Sequence, residues 1–172
     1  MTDDTDPQTV VFEKGRKIAA GPLSEITAKL RDRVRAGETF MVFDATGRVQ
    51  DIDLREPKPT ERGRGRPKLG VSGKEVTLLP RHWEWLAKQS GGPSVALRKL
   101  VEAAIRSPET SSREAQNAAY RFMTTMAGHL PTYEEAIRAL FAADRLKFLG
   151  QTETWPDDIR DHARLLAGPS FS

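Results

Sequence analysis

Cysteine is absent from all 172 residues, which excludes disulfides, thiolate catalysis and cysteine-ligated zinc. No apolar stretch approaches the roughly 18 residues that a membrane-spanning helix needs, and no N-terminal segment resembles a signal peptide. Aromatic residues make up only 7% of the chain and apolar residues 38%, so we expect part of it to lie outside any core. These features predict a cytoplasmic protein without a membrane partner.

The usual signatures of catalysis are also missing. The histidines His82, His129 and His162 are far apart and have no metal-binding spacing. The chain has neither a phosphate-binding glycine loop followed by Lys-Ser/Thr nor a nucleophile elbow. We therefore expect no enzyme, no metal and no cofactor, and the sequence shows no small-molecule ligand. A small enzyme whose groups converge from distant segments is the third-ranked alternative.

Charge is distributed unevenly, although the formal net charge is only +3. Asp3, Asp4 and Asp6 make the start acidic, whereas residues 62–74 are strongly cationic. A local cationic segment in a nearly neutral chain favours an anionic polymer as partner.

The hydrophobic periodicity predicts an α+β protein. After a polar tail at 1–8, residues 9–55 form a small ββαββ domain with its last strand at Val49, Ile52 and Leu54. Gly15 is placed to supply positive φ in the first turn. A domain of this size buries little surface, so we expect it to pack against another part of the protein.

Residues 56–73 form a linker rich in glycine, proline and charge. Its basic run is Arg62-Gly63-Arg64-Gly65-Arg66-Pro67-Lys68. The core of the run, residues 64–67, resembles the AT-hook, and Arg62 and Lys68 match the usual flanks of that motif. The resemblance implies arginines inserted into the A·T-rich minor groove, whose negative potential attracts them. The alternative is a linker that is basic only for solubility.

Residues 74–106 predict a strand at 76–79, a helix from Pro80 to about Gln89, and a second helix opened by Pro93 and Ser94. This order, with the Gly91-Gly92 turn, resembles the ribbon-helix-helix family. The resemblance implies a homodimer whose paired strands enter the major groove and whose second helix holds a phosphate at its N-terminus. It assigns DNA contacts to the segment's polar residues: Lys74, Thr77, Arg81 and Ser94.

This segment departs from the family in a short first helix and in its strand alternation. In one register of the strand, Lys74, Val76 and Leu78 face the DNA. In the opposite register, Glu75 and Thr77 face it. Neither face is suited to reading bases, so we expect backbone and shape recognition. The alternative is a helical hairpin with Trp83 and Trp85 in its core, and either tryptophan could instead stack on a base. The buried face predicted for the second helix is Val95, Leu97, Leu100, Val101, Ala104 and Ile105.

The C-terminal region, 113–167, predicts a helical bundle preceded by a short loop at 107–112. Thr132 and Glu135 predict a capping box for a helix that runs to Phe148. A final helix starts at Trp155-Pro156-Asp157. We expect this region to add stability or assembly by packing on 74–106 or on a second chain, without contacting DNA.

The whole chain resembles an uncharacterised bacterial family, a domain of unknown function. The segments that carry the resemblance are GRGRPKLGV, EVTLLPRHWEWLA, GGPSVALRKLVE, AAYRFMTTMAG and WPDDIRDHA. This resemblance implies that the three parts of the chain belong to one protein family, but it indicates no biochemical activity. We predict a dimeric bacterial DNA-binding protein at the nucleoid, either a transcription regulator or an architectural protein. The alternative is an adaptor whose helical C-terminus binds a partner, with the basic run as a tether.

Overall fold

The structure is a computed structural model that describes residues 8–35, 37–52 and 74–171. The chain divides into two compact units. We call residues 1–54 together with 108–172 the core unit, and residues 55–107 the insert unit.

The predicted domain 9–55 falls in the core unit except for Arg55, and the predicted C-terminal region 113–167 falls in it as well. The cause is the three-stranded antiparallel sheet, which has two apolar faces and needs a cover on each. Its strands, in the spatial order β2-β1-β3, are β1 (Gln8–Glu13), β2 (Arg16–Pro22) and β3 (Met41–Phe43).

The first face of the sheet is covered by helix α1 (Leu23–Arg35). Ile26 and Leu30 pack against Val11 and Val42 in one small buried cluster. The turn before β2 has φ values of 47° at Lys14 and 81° at Gly15, so positive φ at Gly15 is confirmed. The predicted fourth strand is reduced to a single bridge between Phe43 and Val49, and Leu54 lies outside the described residues.

The opposite face is covered by the C-terminal helices. They are α4 (Pro108–Met126), α5 (Tyr133–Phe141), α6 (Arg145–Gln151) and α7 (Asp157–Ala167), followed by a 3-10 turn at Gly168–Phe171. The Phe122 ring centroid lies 5.3 Å from that of Phe12 and 5.0 Å from that of Phe43. Aromatic pairs of this kind contribute about 1 kcal/mol each beyond their burial, so they join the sheet to α4.

A tight turn fixes the sheet to α4 at a second point. The Asp44 carboxylate accepts hydrogen bonds from the backbone amides of Thr46 and Arg48, at 2.8 and 3.0 Å. Burial opposes ionisation of Asp44, but these bonds and the Thr46 hydroxyl lower its pKa overall. Gly47, with φ of 71°, comes so close to α4 that an added Cβ would lie 2.1 Å from the Ala118 carbonyl oxygen.

Three predictions about the C-terminal helices are wrong. Residues 108–112 begin α4 instead of forming a loop, because Pro108 suits a first helical turn. The helix predicted to reach Phe148 ends at Phe141; Ala143 has φ of 53° and Asp144 caps α6 by accepting from the Lys147 amide. The capping box also fails, since the Thr132 hydroxyl lies near the carbonyl oxygens of Pro131 and Gln151 instead.

The insert unit contains α2 (Pro80–Ala87) and α3 (Gly92–Ile105). The predicted strand at 76–79 has no ladder partner among the residues that the structure describes, so its pairing with a second chain stays a prediction. No helix within the described ranges is long and apolar enough to cross a membrane.

Candidate nucleic-acid interface

Four of the nine predicted DNA-contacting residues fall in the described part of the insert unit. Lys74, Thr77, Arg81 and Ser94 are all exposed, so each is accessible to a large anionic partner. The other five lie outside the described residues: Arg62, Arg64, Arg66, Pro67 and Lys68.

Arg81 is placed on the first turn of α2 because Pro80 starts that helix. Its Nε lies 3.5 Å from His82 Nε2, a long and weak contact. No ion pair is formed by Arg81 or Lys74 within the described ranges, so both cations are available to an anion.

The start of α3 is shaped by the two glycines that precede it. Gly91 and Gly92 have φ values of 88° and 75°, and the Gly92 amide donates to the Gln89 carbonyl at 3.0 Å. The first turn of α3 holds no acidic side chain and no side-chain cap. The partial positive charge of this helix end is therefore left for another anion, beside the exposed Ser94.

The predicted buried face of α3 is largely exposed. Leu100, Val101 and Ile105 are 49%, 54% and 61% exposed, and we call these three residues the apolar stripe. The reason is length: α2 has 8 residues and α3 has 14, so α2 can cover only part of α3. In the described part of the insert unit only Leu86 and Ala96 are buried.

The tryptophans do not form the core that was expected of a helical hairpin. Trp83 and Trp85 are 41% and 52% exposed, and Val76 and Leu79 are exposed as well. Within the described residues, this hairpin therefore buries little apolar surface of its own.

The two units carry opposite formal charge. Residues 55–107 hold 12 Lys and Arg against 5 Asp and Glu, which gives +7. Residues 1–54 and 108–172 together hold 15 Lys and Arg against 19 Asp and Glu, which gives −4. The net charge of +3 therefore conceals a strongly basic insert within an acidic core unit.

His162 occupies an unusual position in the core unit. It is 5% exposed, and its ring centroid lies 4.6 Å from that of Phe122 and 5.6 Å from that of Phe12. Its Nε2 is buried and has no hydrogen-bond partner among the residues that the structure describes. Burial, with a smaller contribution from the Lys17 charge, lowers the pKa of His162 to about 4. Among the described residues no cluster of three metal-ligating side chains includes it.

The sequence did not reveal the exposure of Trp83 and Trp85 or the apolar stripe. Local periodicity assigns an apolar face to a helix but does not say which molecule covers that face. The only available signal was the eight-residue length of α2, too short to cover its neighbour.

One family model matches residues 8–167, that of DUF2239, described as an uncharacterized protein conserved in bacteria. Neither the comparison with curated proteins nor the comparison with solved structures found a match.

Proposed function

The chain belongs to this bacterial DUF2239 family, and we propose that it binds double-stranded DNA through its basic insert unit. The observation that carries the proposal is the segregation of charge, with +7 on the insert and −4 on the core unit. Phosphates attract the insert and repel the core unit, so DNA would be engaged in one orientation.

The basic run supplies the first contact. Its resemblance to the AT-hook supports insertion of Arg64 and Arg66 into the minor groove of A·T-rich DNA. Guanine carries an exocyclic amine in that groove, which would obstruct the run and make G·C-rich sites weaker.

The α2–α3 segment supplies the second contact. Lys74 and Arg81 are exposed cations, and the first turn of α3 beside Ser94 offers backbone amides to a phosphate. These are backbone contacts, which suit an architectural protein at the nucleoid or a regulator with modest sequence preference.

The protein acts as a homodimer in this proposal. The apolar stripe and the exposed Leu79 and Trp83 would be buried by the same surfaces of a second chain. Residues 74–79 would then pair with their counterparts and place Thr77 in the ribbon. Two basic runs on one duplex raise affinity through effective concentration.

The proposal is tested by fluorescence anisotropy with labelled A·T-rich and G·C-rich duplexes of equal length. We expect tighter binding to the A·T-rich duplex and competition by a minor-groove drug. Replacing Arg64 and Arg66 together by Ala should remove the preference, whereas replacing Arg31 and Lys29 of α1 by Ala removes the same charge and should retain it. The absence of binding to either duplex at low salt would overturn the proposal.

The dimer is tested separately by light scattering of Thr77→Pro and Thr77→Val. Thr77 makes no hydrogen bond within the described residues, so Thr77→Pro removes no bond seen there but would remove the donor of a ladder formed with another chain. We expect Thr77→Pro to be monomeric and Thr77→Val, which keeps the amide donor, to be dimeric. A monomeric wild-type chain at tens of micromolar would refute the dimer.

A second candidate function, a protein-interaction adaptor, is favoured by apolar groups exposed on the C-terminal helices. The rings of Tyr120 and Phe141 contact each other in a tilted arrangement with centroids 5.7 Å apart. Both rings are exposed, and Leu146 is exposed too. Aromatic pairs of this kind anchor protein interfaces. The adaptor function would be preferred if the Phe141→Ala variant bound DNA like wild type but no longer reproduced the wild-type phenotype in cells that lack the protein.

A further inference from the structure

A cavity of about 490 Å³ opens on the core unit between the β1–β2 turn, the segment before β3, and the ends of α4 and α7. This volume lies within the range of about 300–1,000 Å³ that is typical of small-molecule sites. Its floor is apolar and buried, formed by Phe12, Met126 and Ile159. A floor of this kind favours an apolar ligand body.

The mouth of the cavity has a different chemistry. Met41 is apolar and exposed, while Lys14 and His129 are exposed polar groups at the edge. Among the described residues that line the cavity, Lys14 is the only Lys or Arg and none carries a carboxylate. A ligand with an apolar body and one anionic end therefore matches both the floor and the mouth.

The carboxylates next to lining residues in the sequence are already engaged. Glu13 and Glu38 both pair with Arg33, and Asp157 pairs with Arg160 at 2.8 Å. Asp158, beside Ile159, accepts a hydrogen bond from the Lys17 backbone amide at 3.0 Å. Lys14 itself forms no ion pair with any described residue. Its ammonium group is therefore available to a ligand without displacing an internal partner.

The position of Lys14 is set by the backbone. Its φ of 47° and the φ of 81° at Gly15 make a tight turn between β1 and β2, which holds the lysine at the mouth. The Thr125 hydroxyl is satisfied internally, donating to the Arg121 carbonyl at 3.1 Å. Lys14 is thus the principal group that would orient the anionic end.

We propose that this cavity binds a small monocarboxylate with an aromatic or aliphatic body, the carboxylate lying at Lys14 and the body on Phe12, Met126 and Ile159. The site lies within the core unit and is independent of the proposed DNA contacts. It gives the core unit a ligand-binding role beside the nucleic-acid role of the insert.

The test uses isothermal titration of the full-length protein, without DNA, with 2-naphthoate and its neutral counterpart 2-naphthamide. We expect one 2-naphthoate per chain and weaker binding of the amide. Lys14→Asn removes the cation and still accepts positive φ, so it should weaken 2-naphthoate binding about fivefold and leave the amide unchanged. Lys29→Gln removes a cation of α1 outside the lining and should change neither affinity.

Met41→Glu provides an independent variant, because Met41 is exposed and its replacement should not disturb folding. A carboxylate at the mouth should abolish 2-naphthoate binding. The proposal is overturned if the wild-type protein does not bind 2-naphthoate at millimolar concentration, if acid and amide bind equally, or if both variants bind like wild type. None of these results bears on DNA binding, which is measured separately.

Discussion

The core unit and the insert unit differ in both charge and burial. The core unit is acidic and buries two apolar clusters, one on each face of its sheet. The insert unit is basic and, in its described part, buries only Leu86 and Ala96. One unit is thus stabilised by its own packing, whereas the described part of the other leaves apolar and cationic side chains exposed.

The most severe effect, loss of the proposed dimer, should come from the apolar stripe. Val101→Asp places a charge where the proposed dimer has its shared core, so we expect a monomer and about a hundredfold loss of DNA affinity. Lys99→Asp introduces the same residue on the opposite side of α3 and should remain dimeric by light scattering. If the Val101→Asp variant were still a dimer, the apolar stripe could not be part of the dimer interface.

The second prediction concerns the packing of the core unit, measured as its unfolding free energy. Gly47→Ala forces a Cβ against the Ala118 carbonyl oxygen and strains a positive φ, which should cost about 4 kcal/mol in unfolding free energy. Gly37→Ala has a similar backbone strain, but its added Cβ would have no described neighbour within 4 Å, so we expect a loss of about 1 kcal/mol in unfolding free energy. Denaturant unfolding compares them, and equal losses would mean that the turn is not held tightly on α4.

A third prediction concerns pH. The pKa of His162 is about 4 when folded, against 6.5 when free, so the unfolded chain binds the proton more tightly. Stability should therefore fall as pH drops from about 6.5 to about 4, by about 3 kcal/mol. His162→Leu should remove this dependence and His129→Gln should not. Unfolding curves that match between wild type and His162→Leu at both pH values would contradict the prediction.

The smallest effect tests the start of α3. Ser94→Asp adds a negative charge that stabilises the helix end by about 0.5 kcal/mol but repels a phosphate there. We expect the DNA affinity of Ser94→Asp to fall about tenfold, because one phosphate contact is lost. Ser94→Asn adds no charge and should bind like wild type. Equal DNA affinity of the two variants would show that no phosphate lies at this position.

Local signals in the sequence predicted much of the fold. The starts of α2 at Pro80 and of α7 at Asp157, the turn at Gly15 and the break at Gly91-Gly92 are confirmed. Each depends on a residue whose backbone preference is decisive by itself.

Features that depend on distant contacts were not predicted. Nothing near Phe12 in the sequence indicates that its cover is Phe122, over a hundred residues later. The break at Ala143 depends on how α5 and α6 pack, although Asp144 was an available capping signal. The cavity beside Lys14 is assembled from four separate segments, so periodicity along one segment cannot reveal it.

The central claim is that the insert unit binds DNA through its cations, and the most direct test is the salt dependence of affinity for an A·T-rich duplex. In the proposed complex, six cations per chain would displace counterions from the DNA: Arg62, Arg64, Arg66, Lys68, Lys74 and Arg81. They predict that log K falls with log salt with a slope of about −5 or steeper. A slope near zero, or no binding at low salt, would contradict the account.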